Sequence, residues 1–285
     1  MFEILKSFIY GVVEGITEWL PISSTGHLIL VEELLPFKET SQNFFSMFEV
    51  VIQLGAIIAV VLMFWKQIWP FAFPKREGMN QKGLMSYVKM DIMKLWFKIV
   101  VACIPAIVFV IVGLDEICEE MFYNPVSIAI ALILVGIAFI IVENRNKNRN
   151  PRINSLSDIT YKTAVIVGVF QLIAAIFPGT SRSGATIIGA LMIGVSRSVA
   201  AEFTFFLAIP VMFGASLLKI LDFGFNFTTL EIIVLLIGTA TSFAVSLFVL
   251  KFLMGYIKKH DFKVFGWYRI ILGVLVLGYF LFAGM

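Results

Sequence analysis

The chain has 285 residues, of which 60% are hydrophobic and 14% charged, against roughly 25% charged residues in an average soluble domain; its mean hydropathy is +0.96. Its 22 Lys and Arg against 19 Asp and Glu leave a net charge of +3, too little to recruit a polyanion such as nucleic acid. Soluble enzymes, disordered chains and nucleic-acid binders are thereby excluded in favour of an all-α integral membrane protein.

In chain order, residues 1–45 are apolar but interrupted by Gly, Pro and Ser and by Glu14 and Glu18. A secretory signal would need an unbroken apolar core followed by a small-residue cleavage site, so this segment is expected to stay. Spans are predicted at 46–65, 96–114 and 125–142, each near the ~20 apolar residues that cross the hydrocarbon. Between them, loop 66–94 carries Lys66, Lys75, Arg76, Lys82, Lys89 and Lys94 against Glu77 and Asp91, and loop 143–158 carries Arg145, Lys147, Arg149 and Arg152. The positive-inside rule puts both in the cytoplasm, and loop 115–124, with Asp115, Glu116, Glu119 and Glu120 and no Lys or Arg, outside. Trp65, Trp69 and Trp96 flank cytoplasmic span ends as an aromatic belt would. Cys103 in a span and Cys118 in the acidic loop suggest no disulfide framework.

A second broken stretch covers 159–201, in which Arg197 reads as an interfacial anchor. Spans at 202–221, 231–250 and 264–284 follow, the first two joined by loop 222–231 with Asp222 and Glu231, the last two by loop 251–263 with Lys251, Lys258, Lys259 and Lys263. Crossing the membrane alternates sides, so 159–201 must enter from the cytoplasm and return to it. On the assumption that 1–45 also makes no net crossing, it dips from outside. Shifting the chain by 157 positions lays Gly11 on Gly168, Pro21 on Pro178 and Ser24 on Ser181. The expected architecture is therefore one membrane domain, 1–285, with six transmembrane spans plus two re-entrant helix pairs. Residues 1–142 form a first repeat and 159–285 an inverted second one. Sites in such folds lie where the broken segments meet, and irregular backbone at that depth must be buried in protein or line a wet cavity.

The first broken segment contains Glu14, Glu18, Pro21, Ser23, Ser24, Thr25, Gly26 and His27. Glu14 and Glu18, four apart, share a helix face. Intramembrane carboxylates so close require a divalent metal, a shared proton or an arginine, and hard ions such as Mg²⁺ or Ca²⁺ favour such oxygen sites. Pro21 ends the helix, and the hydroxyl-rich turn after it offers the parts of an anion nest at a helix N-terminus; His27 is placed to reach the same ligand. Taken alone, the carboxylates also fit a structural pair, the histidine a helix end, and the small residues close helix packing.

The second broken segment supplies Pro178, Gly179, Thr180, Ser181, Arg182, Ser183, Gly184 and Thr186. Arg182 is the cation the first segment lacks, able to fork onto phosphate oxygens, or to serve as a structural partner of Glu14 or Glu18. Joined, the segments provide carboxylates, hydroxyls, an imidazole and a guanidinium, a set suited to phosphoryl transfer. Glu49 and Glu202, near the starts of their spans, are expected to support the site from behind.

On these motifs the chain resembles, over its whole length, the undecaprenyl pyrophosphate phosphatase family known for bacitracin resistance. The first motif stands as Glu14, Glu18, Pro21, Ser23, Ser24, Gly26 and His27, the second as Pro178, Gly179, Ser181, Arg182, Ser183, Gly184 and Thr186, with no departure in either. The resemblance implies a multi-pass enzyme of the bacterial inner membrane. It would hydrolyse a C55 isoprenyl diphosphate to the monophosphate and phosphate, recycling the carrier lipid for cell-wall synthesis, with bacitracin acting on the substrate rather than on the protein. It also implies a Mg²⁺ or Ca²⁺ requirement and an active site open to the outer side.

On this reading Arg182 and the Ser181–Gly184 amides hold the terminal phosphate, with Ser23, Thr25, Gly26, Gly179, Thr180 and Thr186 completing the binding turns. Ser24 is the first choice of nucleophile, with His27 as acid or base and Glu14 and Glu18 at the metal or proton site. His27 as nucleophile, or a water activated by the Glu pair, are the other routes. A polyprenyl-phosphate flippase using the same anion site is the second class of function. Metal identity, tail-length preference and a homodimer stay open.

Overall fold

The computed structural model describes residues 2–71 and 87–283. Lys75, Arg76, Glu77 and Lys82 of the predicted cytoplasmic loop lie outside the described residues. Among those described, the chain is all helical apart from short connections and two isolated bridges, Phe71 with Val88 and Ile153 with Val195. Six helical stretches are long and apolar enough to cross a membrane: Phe44–Met63, Met90–Ile111, Pro125–Asn146, Arg197–Phe223, Thr229–Tyr256 and Lys263–Phe282.

In chain order the helices are α1 (Phe2–Thr17), α2 (Ser24–Leu34), α3 (Phe44–Val51), α4 (Gln53–Met63), α5 (Trp65–Ile68), α6 (Met90–Ile111), α7 (Leu114–Phe122), α8 (Pro125–Asn146), α9 (Tyr161–Ile176), α10 (Arg182–Met192), α11 (Arg197–Phe223), α12 (Thr229–Tyr256) and α13 (Lys263–Ala283). The six spans coincide with the predicted ones but run on at several ends. Apolarity stops at the first charge, whereas a helix continues until its backbone is capped. Thus α8 carries on past Glu143 and Arg145 to Asn146, and α11 starts at Arg197. The acidic loop 115–124 is largely α7: Gly113, at φ 73°, ends α6, and Asp115 and Glu116 in the first turn of α7 favour its N-terminus.

Each broken segment is a helix, a turn and a shorter helix. α1 and α9 have 16 residues each, α2 and α10 have 11, short of the ~20 that span a bilayer. α1 lies along α12 in the same direction: the Ser7 hydroxyl donates to the Val234 carbonyl at 2.5 Å, Gly11 abuts Gly238 and Ser242, and Gly15 abuts Ser242 and Val245. α9 lies along α6, with Gly168 against the Ala102 backbone. A side chain at Gly11 or Gly168 would meet neighbouring backbone, so each glycine sets how closely its helix approaches.

The turns are seated in the core. Trp19 is fully buried and packs edge-on against Phe205 of α11, their centroids 5.2 Å apart. A second apolar cluster, with Tyr10, Leu28, Phe44, Phe48 and Val234, joins α1, α2, α3 and α12. Apolar burial of this kind positions the polar turns without contributing chemistry to them.

Candidate active site

α1 stops at Thr17, and the amide of Glu18 still bonds the Glu14 carbonyl at 3.0 Å, so Glu18 sits just past the last turn. Pro21 cannot supply an amide to extend the helix. Ser23 then caps α2: its Oγ accepts from the Gly26 amide at 3.3 Å, with φ 77°. In the second segment Ser181 caps α10, its Oγ accepting from the Gly184 amide at 3.2 Å with φ 68°. Only one other non-glycine residue among those described, Asn43, has a positive φ. Two matching strained caps point to turns held for a purpose. They also revise the sequence register. The caps pair Ser23 with Ser181, not Ser24 with Ser181, because Gly179 is one extra residue between proline and cap. At φ 88°, its missing Cβ would stand 2.7 Å from the Ile128 carbonyl oxygen.

In the revised register Ser24 and Arg182 occupy the first position of their helices, and both meet Glu18. Ser24 Oγ donates to Glu18 Oε2 at 2.8 Å, and Arg182 Nη2 donates to Glu18 Oε1 at 2.5 Å. The Ser183 hydroxyl donates to the Glu18 carbonyl at 3.3 Å and lies 3.1 Å from the Ser181 hydroxyl. Thr186 bonds back to the Arg182 carbonyl at 2.9 Å and accepts from Thr204 of α11. Thr25 is half-buried, Gly26 is buried beside Leu132, and Thr180 is buried in its turn. Free first-turn amides at both helix starts complete a concentration of anion donors.

Glu14 is fully buried and neither of its carboxylate oxygens has a hydrogen-bond partner; Arg182 Nη1 is likewise buried without one. Neither group is stable alone in apolar surroundings. An anion at Arg182 and a cation at Glu14 would satisfy both. Among the described residues no three His, Cys, Asp or Glu converge as a closed metal cage. The donor set therefore fits a hard divalent ion only in the manner of Mg²⁺, held by one or two carboxylates with substrate oxygens supplying the rest.

Among the described residues His27 makes no hydrogen bond to Ser24 or Glu18. Its Nδ1 donates to the Ser23 carbonyl at 2.7 Å, which leaves Nε2 to accept from the Tyr268 hydroxyl at 2.7 Å, the two rings stacked. Next to Tyr268, fully buried Arg269 donates from Nη1 to the Pro21 carbonyl at 3.2 Å and from Nη2 to the Gly179 and Thr180 carbonyls at 2.8 Å each. One guanidinium thus ties both turns to α13. Sequence reasoning missed this pair, although a lone arginine inside a predicted span was the available signal.

The supporting carboxylates separate. Glu49 accepts from Tyr123 at 3.3 Å through either oxygen, while Glu202 makes no hydrogen bond to the turns among the described residues; Thr204, two residues on, provides that link instead. Arg197 is not a free interfacial anchor: it donates to the wholly buried Glu143 carboxylate, from Nη2 at 2.5 Å and Nε at 2.9 Å.

A sequence model for bacitracin resistance protein BacA matches residues 7–275. Among curated relatives, the undecaprenyl-diphosphatase of Desulfitobacterium hafniense is 61% identical over 280 residues, covering 98% of this chain and 96% of its own. That of Lachnoclostridium phytofermentans is 61% identical over 281 residues, covering 99% and 98%. One from Enterococcus faecalis is 58% identical over 275 residues, covering 96% of each.

Proposed function

The chain belongs to the BacA family of bacitracin resistance proteins, and on that premise we propose that it hydrolyses undecaprenyl (C55) diphosphate to undecaprenyl phosphate and phosphate. The observation that carries this reading is Glu18 held between the Ser24 hydroxyl at 2.8 Å and the Arg182 guanidinium at 2.5 Å. A hydroxyl already donating to a carboxylate, beside an arginine with a spare donor, is arranged for transfer of a phosphoryl group. Relatives named as diphosphatases, with identity over essentially the full length, favour hydrolysis over the flippase alternative.

In the proposed mechanism the terminal phosphate lies against Arg182 Nη1 and the first-turn amides of α2 and α10. Ser24 Oγ attacks phosphorus as Glu18 takes its proton, and the bridging oxygen leaves with the lipid monophosphate. Water then attacks the phosphoserine, returning the serine hydroxyl and releasing phosphate. His27, bonded to Ser23 and Tyr268, orients the start of α2. Imidazole attack and direct attack by water are the competing routes. A divalent ion, when bound, would neutralise phosphate charge, and the unpartnered carboxylate of Glu14 would hold it, with Glu18 beside it in the sequence-based reading.

Two re-entrant pairs related by an inverted repeat are the architecture we assign. The support is the paired lengths of α1 with α9 and α2 with α10, the matching caps, and the exchanged packing of α1 on α12 and α9 on α6. Since α12 is expected to start outside and α6 inside, α1 would enter from the outer face and α9 from the cytoplasm. The same reading puts the protein in a bacterial plasma membrane with its site opening outward. Phosphate release from C55 diphosphate by detergent-purified protein, with and without chelator and beside Arg182→Ala, tests the function. No release from intact protein that still binds the lipid would turn the reading to a flippase.

A further inference from the structure

At the end of the bundle remote from the catalytic turns, the end of α8, the start of α9, the end of α10, the start of α11 and the end of α12 line an open cavity of about 1120 Å³. Six cations line it: Lys147, Arg149, Arg152, Lys162, Arg197 and Lys258. The carboxylate that lines it, Glu143, is already consumed, accepting from Arg197 and from the Phe262 amide at 3.0 Å. The other five cations make no ion pair among the described residues.

Charge bias between membrane faces explains why this end is basic, but not why it is concave and braced. The braces are specific. The Arg152 and Ile153 amides both donate to the Gly194 carbonyl, at 2.8 and 3.1 Å, and the Ser196 amide donates to the Ile153 carbonyl at 2.9 Å. Gly194 adopts φ 88° to allow this, and Asn146 Nδ2 donates to the Leu191 carbonyl at 2.9 Å, fixing the end of α10 to α8. These bonds hold the connection carrying Lys147, Arg149 and Arg152 against the end of α10 and the start of α11 with Arg197; Lys162 and Lys258 line the same space, with Ile166 and Met192 supplying an apolar edge.

We infer that this cavity binds a phosphate-bearing anion, the headgroup of an anionic phospholipid, at a site separate from the active site. The 11 residues of α10 lie between the two, Arg182 at one end and Leu191 and Met192 at the other, a rise of about 16 Å. Basic pockets between spanning helices hold anionic headgroups by charge, with the glycerol and chains against apolar neighbours. The cavity has both parts.

The test uses the full chain purified in detergent and native mass spectrometry with three probes: dioleoyl phosphatidylglycerol, dioleoyl phosphatidylcholine and inorganic phosphate. An Arg182→Gln background removes the phosphate site at the turns. Expected are binding of the anionic lipid at least about tenfold tighter than of the zwitterionic one and a loss of at least about tenfold in Arg149→Gln/Arg152→Gln/Lys162→Gln. In the otherwise native chain the same triple change leaves diphosphate hydrolysis in place, which shows that the protein is folded. Lys147→Gln/Lys258→Gln, one at the C-cap of α8 and the other just past α12, repeats the measurement should the triple variant be poorly made. Competition by millimolar inorganic phosphate identifies the phosphate group as what is recognised; phosphate binding without lipid binding, lost in the triple variant, assigns the site to the free anion and overturns the phospholipid as occupant. Equal binding of the two lipids together with no phosphate binding, or undiminished binding by both variants, overturns the proposal.

Discussion

Arg182 and Glu18 belong to different halves of the chain and meet at 2.5 Å, the guanidinium donating from Nη2 to Oε1. Their side chains are only 14% and 8% exposed, so the pair is largely desolvated and each partner would be left stranded without the other. The contact carries a catalytic consequence and a structural one.

Glu18→Gln should lower kcat by about 10²- to 10⁴-fold, the usual contribution of a positioned base. Ser24→Ala combined with Glu18→Gln should cost scarcely more than the worse single change, because the two act as one unit. Steady-state phosphate release from C55 diphosphate checks both; additive losses would remove Glu18 as the base of Ser24.

Phosphoenzyme trapped by denaturation in SDS at neutral pH, which spares both phosphoserine and the acid-labile phosphohistidine, should map to Ser24 and be absent in Ser24→Ala. Tyr268→Phe removes only the hydrogen bond to His27 Nε2 and should reduce turnover by no more than about tenfold, since a typical single bond of this kind contributes about 1 kcal/mol. Label recovered on His27 instead would make the imidazole the nucleophile.

Glu14→Gln should abolish the response to added divalent ion, with chelator then making no further difference to a turnover already reduced. The argument is the pair of unpartnered carboxylate oxygens on Glu14. An undiminished response to Mg²⁺ in the variant would transfer the ion to other residues.

Arg269→Met should destabilise the protein by about 3 kcal/mol or more, because the buried carbonyls of Pro21, Gly179 and Thr180 lose their shared donor. Thermal unfolding in detergent gives the stability, and turnover normalised to folded protein gives the effect on the turns. Lysine at this position should rescue poorly, since a point charge does not reproduce the guanidinium fork.

Gly179→Ala should cost about 1–3 kcal/mol, combining a positive φ with a Cβ placed 2.7 Å from the Ile128 carbonyl oxygen. The same measurement on Gly278→Ala, where a Cβ meets open space, provides the contrast and should move the midpoint little.

The spans and both turns were legible in the sequence because apolar length and misplaced charge survive as linear signals. Glu14, Glu18, Ser24 and Arg182 stood out as polar groups in apolar stretches. What escaped was relational. The cap register depended on one extra backbone residue, Gly179, invisible to a fixed shift. α7 was hidden because acidic residues read as loop although they suit a helix start. Arg197 reads as an anchor because its acceptor, Glu143, lies 54 residues away in sequence. Arg269 was absorbed into an apolar span whose average concealed it.

The grip of Arg269 also orders events during synthesis. α13 leaves the ribosome after every other described helix, so a nascent chain can already contain Glu14, Glu18, Ser24, His27 and Arg182 while both turns still lack their common tether. Catalytic competence should therefore arrive in one step, with insertion of the last of these helices, rather than accumulate as the halves emerge.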